Sequence, residues 1–390
     1  MSWEEFVDQL RPLGAKMRER LPQRLRDDPQ TLAEAQRLLL AATMRAAADA
    51  IIGDRAHPMF VPELNIAQNL FQPNSDTIYK AALIETGGSY RIRGERGTIL
   101  LMRMAQLGPD TLRTGKHAPT LLEYDFDTLE RTPDGGFDVI VSPERPQAHT
   151  GDWWRLHPQA EKLMIRFISY DWGVEREPRI GIDRLDVAPN RPRLSAQELE
   201  RRFAELPTII GNAATMLVRQ VEALRNDGYI NKLKTVDFSQ MTGMAKQSYY
   251  EGAYELADDE ALLFEVAIPK QCGYWSLILT NEIYETTDWY NNQSSLNGAQ
   301  ALLDAQGIFR AVISARDPGV PNWLDTAGNP RGAVQGRWLD CEERPLPTMR
   351  QMSVADVRAS MPSDTPIVSR TARETALRER RLRAQMRTIW

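Results

Sequence analysis

From Pro58 to about residue 194 the chain is cut too often to hold a long helix. Pro62, Pro73 and Pro109, with glycine-containing turns between them, leave only short apolar runs. Proline removes a backbone donor and glycine favours tight turns, so runs of this length between such punctuation pair as antiparallel strands. Residues 77–84 (TIYKAALI), 89–93 and 98–104 are successive strand candidates, with turns at Gly87-Gly88 and from Gly94 to Gly97. Residues 137–142 and 162–172 extend the same system, giving a first β-rich module over 59–194.

Upstream the pattern is the opposite. Residues 31–54, TLAEAQRLLLAATMRAAADAIIGD, are rich in Ala and Leu and contain no proline, which predicts a long helix. A shorter helix is expected over 3–20, completing a helical region over 1–58. A helical insertion follows over 195–235, with Ser195 and Glu198 at capping-box spacing and Pro207 expected to divide it in two. A second β-rich module spans 236–350, with strands at 261–268, 273–280, 309–315 and 333–339. The tail, 351–390, ends in a helical stretch with seven arginines and two glutamates between Ser369 and Trp390. That stretch is expected to pack on its own domain or on a sister subunit, with Trp390 as a packing residue. The fold class is therefore α+β, predominantly antiparallel β, with N-terminal, central and C-terminal helices.

At roughly 100 to 200 residues per domain, 390 residues allow two or three. The net charge of −5 offers no field for a polyphosphate, so nucleic acid is not an expected partner. No leader-like apolar stretch opens the chain. The longest apolar segment, 38–52, is broken by Arg45 and Asp49 and falls short of the roughly 20 residues that span a bilayer, so no membrane partner is expected. Cys272 and Cys341 allow at most one disulfide and suit a reducing, cytoplasmic setting, with Cys272 read as a buried structural thiol rather than a nucleophile.

Phosphate-loop and dinucleotide fingerprints are absent, as is the GxSxG elbow, and His57, His117, His149 and His157 show no metal-ligand spacing. Asp258-Asp259-Glu260 reads as an acidic turn before a strand. No cofactor and no metal are predicted.

Two stretches hold more polar and aromatic residues than simple strands require: 71–79, FQPNSDTIY, and 317–328, DPGVPNWLDTAG. The run Asn74-x-Asp76-Thr77-x-Tyr79, followed by Gly88-x-Tyr90-Arg91-Ile92-x-Gly94, resembles the bacterial families catalogued as domains of unknown function twelve fifty-four and twelve fourteen. Tyr274-Trp275-Ser276 and the string from Asp317 to Thr326 resemble the twelve-fourteen module specifically. The resemblance implies a β-sandwich or jelly-roll architecture with attached helices and supplies no settled activity. This chain has no histidine near Asn329, so an imidazole role there would be missing.

Taken structurally, Asn and Asp before strands tie down loops, and Pro-Gly with Asn-Trp is a turn whose indole caps a core. Taken functionally, Asp76 and Asp325 are bases, Tyr79 and Tyr274 proton donors, and Asn74 and Asn322 amides that hold a polar substrate atom. Arg103 and Arg337 would clamp an oxyanion. Trp275, Trp289 and Trp323, with Tyr284 and Tyr290, suggest flat apolar faces for a ligand.

The leading expectation is a cofactor-independent acid/base enzyme, a lyase, isomerase or hydrolase, acting on a hydrophobic oxygenated small molecule. Asp76 is its base and Tyr79 its acid. The alternatives are a non-catalytic glycan- or lipid-binding module using the tryptophans, and an assembly protein forming a homo-oligomer through the C-terminal helix.

Overall fold

The computed structural model describes residues 2–117, 119–238, 244 and 246–389; Trp390 lies outside them. Ser2 accepts from the Glu5 amide while Glu5 reaches back to the Ser2 amide, a capping box that starts α1 (Trp3–Leu10). Pro12 sits at the N-cap of α2 (Leu13–Arg20), so the single helix expected over 3–20 is two. Asp28 caps α3 (Pro29–Ile52), whose Ala and Leu positions pack on the later helix α5.

The first β module contains β1 (Val61–Leu64), β2 (Thr77–Leu83), β3 (Tyr90–Glu95), β4 (Leu101–Leu107), β5 (Thr120–Asp125), β6 (Gly136–Ser142), β7 (Asp152–Arg155), β8 (Lys162–Ile168) and β9 (Arg179–Arg184), with one turn of helix, α4 (Thr111–Thr114), before β5. Its inner sheet has the order β1-β2-β8-β4-β5 and its outer sheet β7-β6-β3-β9. All pairs are antiparallel except β6 with β7. Ile78, Met102, Met104, Leu163, Ile165 and Phe167 of the inner sheet meet Tyr90, Ile92, Val139 and Trp154 of the outer sheet in one core, which makes the module a sandwich.

Helices α5 (Ala196–Thr215) and α6 (Gln220–Asn226) then lead to the second module. Pro207 lies inside α5 and does not divide it as expected. One missing donor is outweighed by the face of Leu206, Ile209, Ile210, Ala213 and Ala214 that α5 buries. The second module contains β10 (Lys234–Val236), β11 (Gln247–Glu255), β12 (Glu260–Ala267), β13 (Cys272–Leu279), β14 (Ser295–Asn297), β15 (Ile308–Ser314), β16 (Trp323–Asp325), β17 (Arg331–Cys341) and β18 (Thr348–Ser353). Its inner sheet runs β10-β11-β17-β13-β14 and its outer sheet β16-β15-β12-β18, closing on Tyr250, Trp275, Trp338, Phe264 and Phe309. Asp258 and Asp259 form the turn into β12.

The two inner sheets are buried on both faces. Every residue of β8 is buried, and β17 is nearly so. Because side chains alternate along a strand, Leu163, Ile165 and Phe167 fill the first sandwich while Lys162, Met164, Arg166 and Ile168 point the other way. Likewise Val334 and Trp338 fill the second sandwich, and Gln335, Arg337 and Leu339 leave it. Ile168, Tyr274 and Leu339 share a cluster in the seam where the modules meet.

After α7 (Val357–Ser360) the chain ends in α8 (Arg370–Gln385), which lies against its own chain. Arg373 and Arg380, two turns apart, share one face of α8, and Arg387 follows just past its C-cap. Arg373 binds Asp317 (2.9 Å) and stacks over Trp323. Arg380 donates to the Trp289 carbonyl (2.7 Å) and covers Trp172, and Arg387 donates to the Ser75 and Asp76 carbonyls (2.9 Å each). The remaining helix arginines are exposed or half-exposed. Cys272 and Cys341 are register partners on β13 and β17 and are joined as a disulfide, which corrects the reading of Cys272 as a thiol. Among the described residues no helix is long and apolar enough to cross a membrane, and no group of three or more His, Cys, Asp or Glu side chains is placed to hold a metal ion.

Candidate functional site

The loop before β2 delivers Asn74 and Asp76 into the seam, and the two modules are joined there by a buried polar hub. Asp76 is 1% exposed. Its carboxylate accepts from the Tyr274 hydroxyl (2.6 Å), the Trp172 indole (3.0 Å) and the Asn297 amide (2.9 Å). The Asn74 amide donates to the Tyr274 hydroxyl (2.8 Å) and to the Thr77 hydroxyl (3.1 Å), and the Asn74 backbone N–H donates to the Tyr79 hydroxyl (3.3 Å). Burial pushes the Asp76 carboxyl above its ordinary range, although the hydrogen bonds from Tyr274 and Asn297 pull the other way. Burial, with Asp76 alongside, holds the Tyr274 hydroxyl well above the ordinary tyrosine value.

Beside this hub a cavity of about 180 Å³ lies between the inner sheets. Tyr79, Met164, Arg166 and Lys162 come from the first module, and Tyr249, Gln335 and Arg337 from the second. Phe71, Leu107, Leu112, Met216 and Leu217 add apolar surface. Three non-glycine lining residues, Phe71, Gln72 and Tyr284, have φ of 58°, 57° and 68°. Left-handed backbone at such residues costs about 1 kcal/mol or more each and is characteristically kept where side chains must be aimed. The Tyr284 hydroxyl donates to the fully buried Glu251 (2.7 Å), and the Gln335 amide donates to Tyr284 (2.9 Å) and to Glu251 (3.2 Å).

One wall of the cavity continues into a buried ion network. Lys162 donates to Glu63 (2.9 Å) and reaches Asp110 (3.5 Å), Arg113 binds Asp110 (2.6 Å), and Arg45 binds Asp49 (2.7 Å) on α3. Burial alone would raise the Asp110 carboxyl, but Lys162 and Arg113 outweigh it and bring its pKa down to about 2; Glu63 is lowered for the same reason by Lys162 and Arg45. A depressed carboxylate contributes stability above its unfolded pKa and loses it as pH falls through the folded value. Stability is therefore expected to drop between about pH 4 and pH 2, by up to roughly 2.5 kcal/mol for Asp110. Urea unfolding across that range checks this, and an Asp110→Asn profile as steep as the wild type would assign the acid sensitivity elsewhere.

Of the residues singled out in the sequence, Asn74, Asp76, Tyr79 and Tyr274 come together, and Tyr79 and Arg337 line the cavity. Arg103 is occupied by Asp125 (2.7 Å) and Asp340 (3.3 Å). The 317–328 loop lies elsewhere, and Asn322, Trp323 and Asp325 are not among the cavity-lining residues. Asn322 donates to the Leu302 (2.6 Å) and Arg310 (2.8 Å) carbonyls, Trp323 donates to the Ser314 carbonyl (3.1 Å), and Asp325 accepts from the Ala327 amide (2.7 Å). These are loop anchors. Trp275, Trp289 and Trp323 are at most 6% exposed. The open stacking faces expected of them are absent, because Trp275 fills the second sandwich and α8 covers the other two. Lys162, Arg166, Gln72, Tyr249 and Gln335 were not foreseen. The available signal was a cation interrupting a buried apolar strand, as in KLMIRFI.

Fold and site together define a protein of two β-sandwiches set inner face to inner face over a half-open cavity of mixed polar and apolar lining. Residues 251–340 match the family described as "Protein of unknown function (DUF1214)". Among solved structures, an uncharacterized protein from Burkholderia cenocepacia is 26% identical with a TM-score of 0.82, over 90% of this chain and 97% of that one. A protein from Vibrio parahaemolyticus is 10% identical with a TM-score of 0.45, over 82% of this chain and 98% of that one. No curated protein matches.

Proposed function

We propose that the inter-module cavity is the working site and that the protein is a cofactor-independent acid/base enzyme acting on a small, largely apolar, oxygenated molecule. The observation that carries this is the cavity's mixed lining: Tyr79, Tyr249, Arg337 and Gln335 from two facing sheets, together with apolar side chains such as Phe71, Leu107 and Met164. Tyr79 is the proton-donating group, its hydroxyl positioned by the Asn74 N–H. Asp76 lies behind it, holding Tyr274 and Asn74 in place, and so acts as a positioning residue.

The test is a thermal-shift screen of small aromatic and alicyclic carbonyl, hydroxyl and carboxyl compounds, followed by mass-spectrometric assay of those that bind. Tyr79→Phe is expected to keep the ligand-induced shift and to lose about 100-fold in turnover. Equal turnover in wild type and Tyr79→Phe would remove Tyr79 from the chemistry, and a screen without binders would remove the cavity.

A further inference from the structure

We infer that the molecule held in this cavity is a monoanion, a carboxylate or similar oxyanion whose charge is received by Arg337; this rests on the cavity being the working site. Arg337 is 5% exposed and lines the cavity. Its Nη2 donates to the Gln335 side-chain oxygen (2.5 Å), its guanidinium lies 5.5 Å from the Tyr249 ring centre, and among the described residues it has no carboxylate within ion-pair distance. Its Nε has no hydrogen-bond partner among them.

A guanidinium does not shed its proton, so the charge is carried into the interior with no carboxylate in direct contact: Asp76 acts on it only from beyond ion-pair distance, and the buried Glu251 reaches it only through Gln335. An isolated buried ion is costly, and a buried cation is normally paired. In the neighbouring ion network Arg45, Lys162 and Arg113 are each paired with a carboxylate. The larger polar groove beside α3 is similarly self-neutralised, by Arg24 with Glu222 and Glu282 and by Arg37 with Glu285.

A second observation points the same way. Gln72, 7% exposed and held with φ of 57°, lines the cavity with its Nε2 donor unpartnered. Tyr249 lines the cavity within the electrostatic reach of both Arg337 and Arg166, which come from the two facing sheets. Guanidinium, amide N–H and phenol O–H groups together suit a planar oxyanion. Phe71, Leu107 and Met164 would receive its apolar body, and the volume limits it to a small acid.

The experiment is a matched panel titrated at pH 7 into the full chain: benzoate and hexanoate against benzamide, hexanamide, benzyl alcohol and hexanol. The carboxylates are expected to bind at least tenfold more tightly than their neutral partners. Arg337→Leu is expected to lose that preference while its ligand-free melting temperature stays equal to or above the wild type, as removal of an unpaired buried charge requires. Should Arg337→Leu fail to fold, Gln72→Leu is expected to weaken carboxylate binding severalfold and to leave the neutral compounds unaffected. Neutral compounds binding as well as carboxylates, or carboxylates unaffected by the variant that folds, would overturn the anionic class while leaving the cavity as the site. Binding by none of the six would overturn both.

Discussion

Asp76→Ala is expected to unfold with about 3–5 kcal/mol less stability than the parent. Three donors converge on this carboxylate, from Tyr274 and Asn297 in the second module and from Trp172 in the first. Removing the acceptor leaves them buried. Asn297 retains the Tyr170 carbonyl (3.0 Å), so the cost falls mainly on Tyr274 and Trp172. Because these bonds cross between modules, the variant is also expected to unfold less cooperatively, with the second module outlasting the first contact. The charge itself gives a separate signature. Burial raises the Asp76 carboxyl, so in the folded state it binds its proton more tightly than in the unfolded chain. Stability therefore falls as pH rises from the ordinary carboxylate range through the raised value, and that segment of the profile disappears in Asp76→Asn. Chemical denaturation of the three proteins checks both parts, and a loss below about 1 kcal/mol in Asp76→Ala would show that the hub does not hold the modules together.

Lys162→Met is expected to cost a similar amount, about 3–5 kcal/mol, by a different route. Lys162 is 5% exposed and its ammonium serves Glu63 and Asp110 at once; burial opposes its charge, but the two carboxylates hold its pKa above the ordinary lysine value. Without it, two carboxylates remain in the interior, and Arg45 lies 3.7 Å from Glu63, beyond a good hydrogen bond. The penalty is one of an unpaired charge rather than of a lost contact, so a compensating change should reduce it. Lys162→Met combined with Glu63→Leu is expected to recover a substantial part of the loss, and a double variant no more stable than the single one would contradict this account. Acidification to about pH 4 should narrow the gap between Lys162→Met and the parent, since protonation removes the stranded charge.

The parts of the fold that follow from local rules were legible. Residues 31–54, rich in Ala and Leu, form α3, and the apolar runs near 77–84, 137–142 and 162–172 form β2, β6 and β8. Strand 247–255 was missed, because QSYYEGAYE carries two glutamates and two glycine-like interruptions of small residues yet is held centrally between β10 and β17, where tertiary pairing overrides composition. At the site, Tyr79, Arg337 and the Asn74–Asp76–Tyr274 group were visible as residue types, but Asn322, Trp323 and Asp325 stood out equally and serve only their own loop.

What the sequence by itself determined is therefore local: helix and strand periods, the cap at Ser195, the turns at glycine and proline, and the α+β class that these add up to. Only the tertiary structure decided which face of each strand meets which partner. Alternation assigns Arg166 and Arg337 to the faces turned away from their own cores, but a strand can turn that face to water or to another sheet. Here the facing sandwich covers it, and Arg337, which would otherwise be an ordinary surface charge, becomes a buried one with its Nε unpartnered. Its meaning lies in the packing of two sheets distant in sequence, a relation that no local pattern encodes.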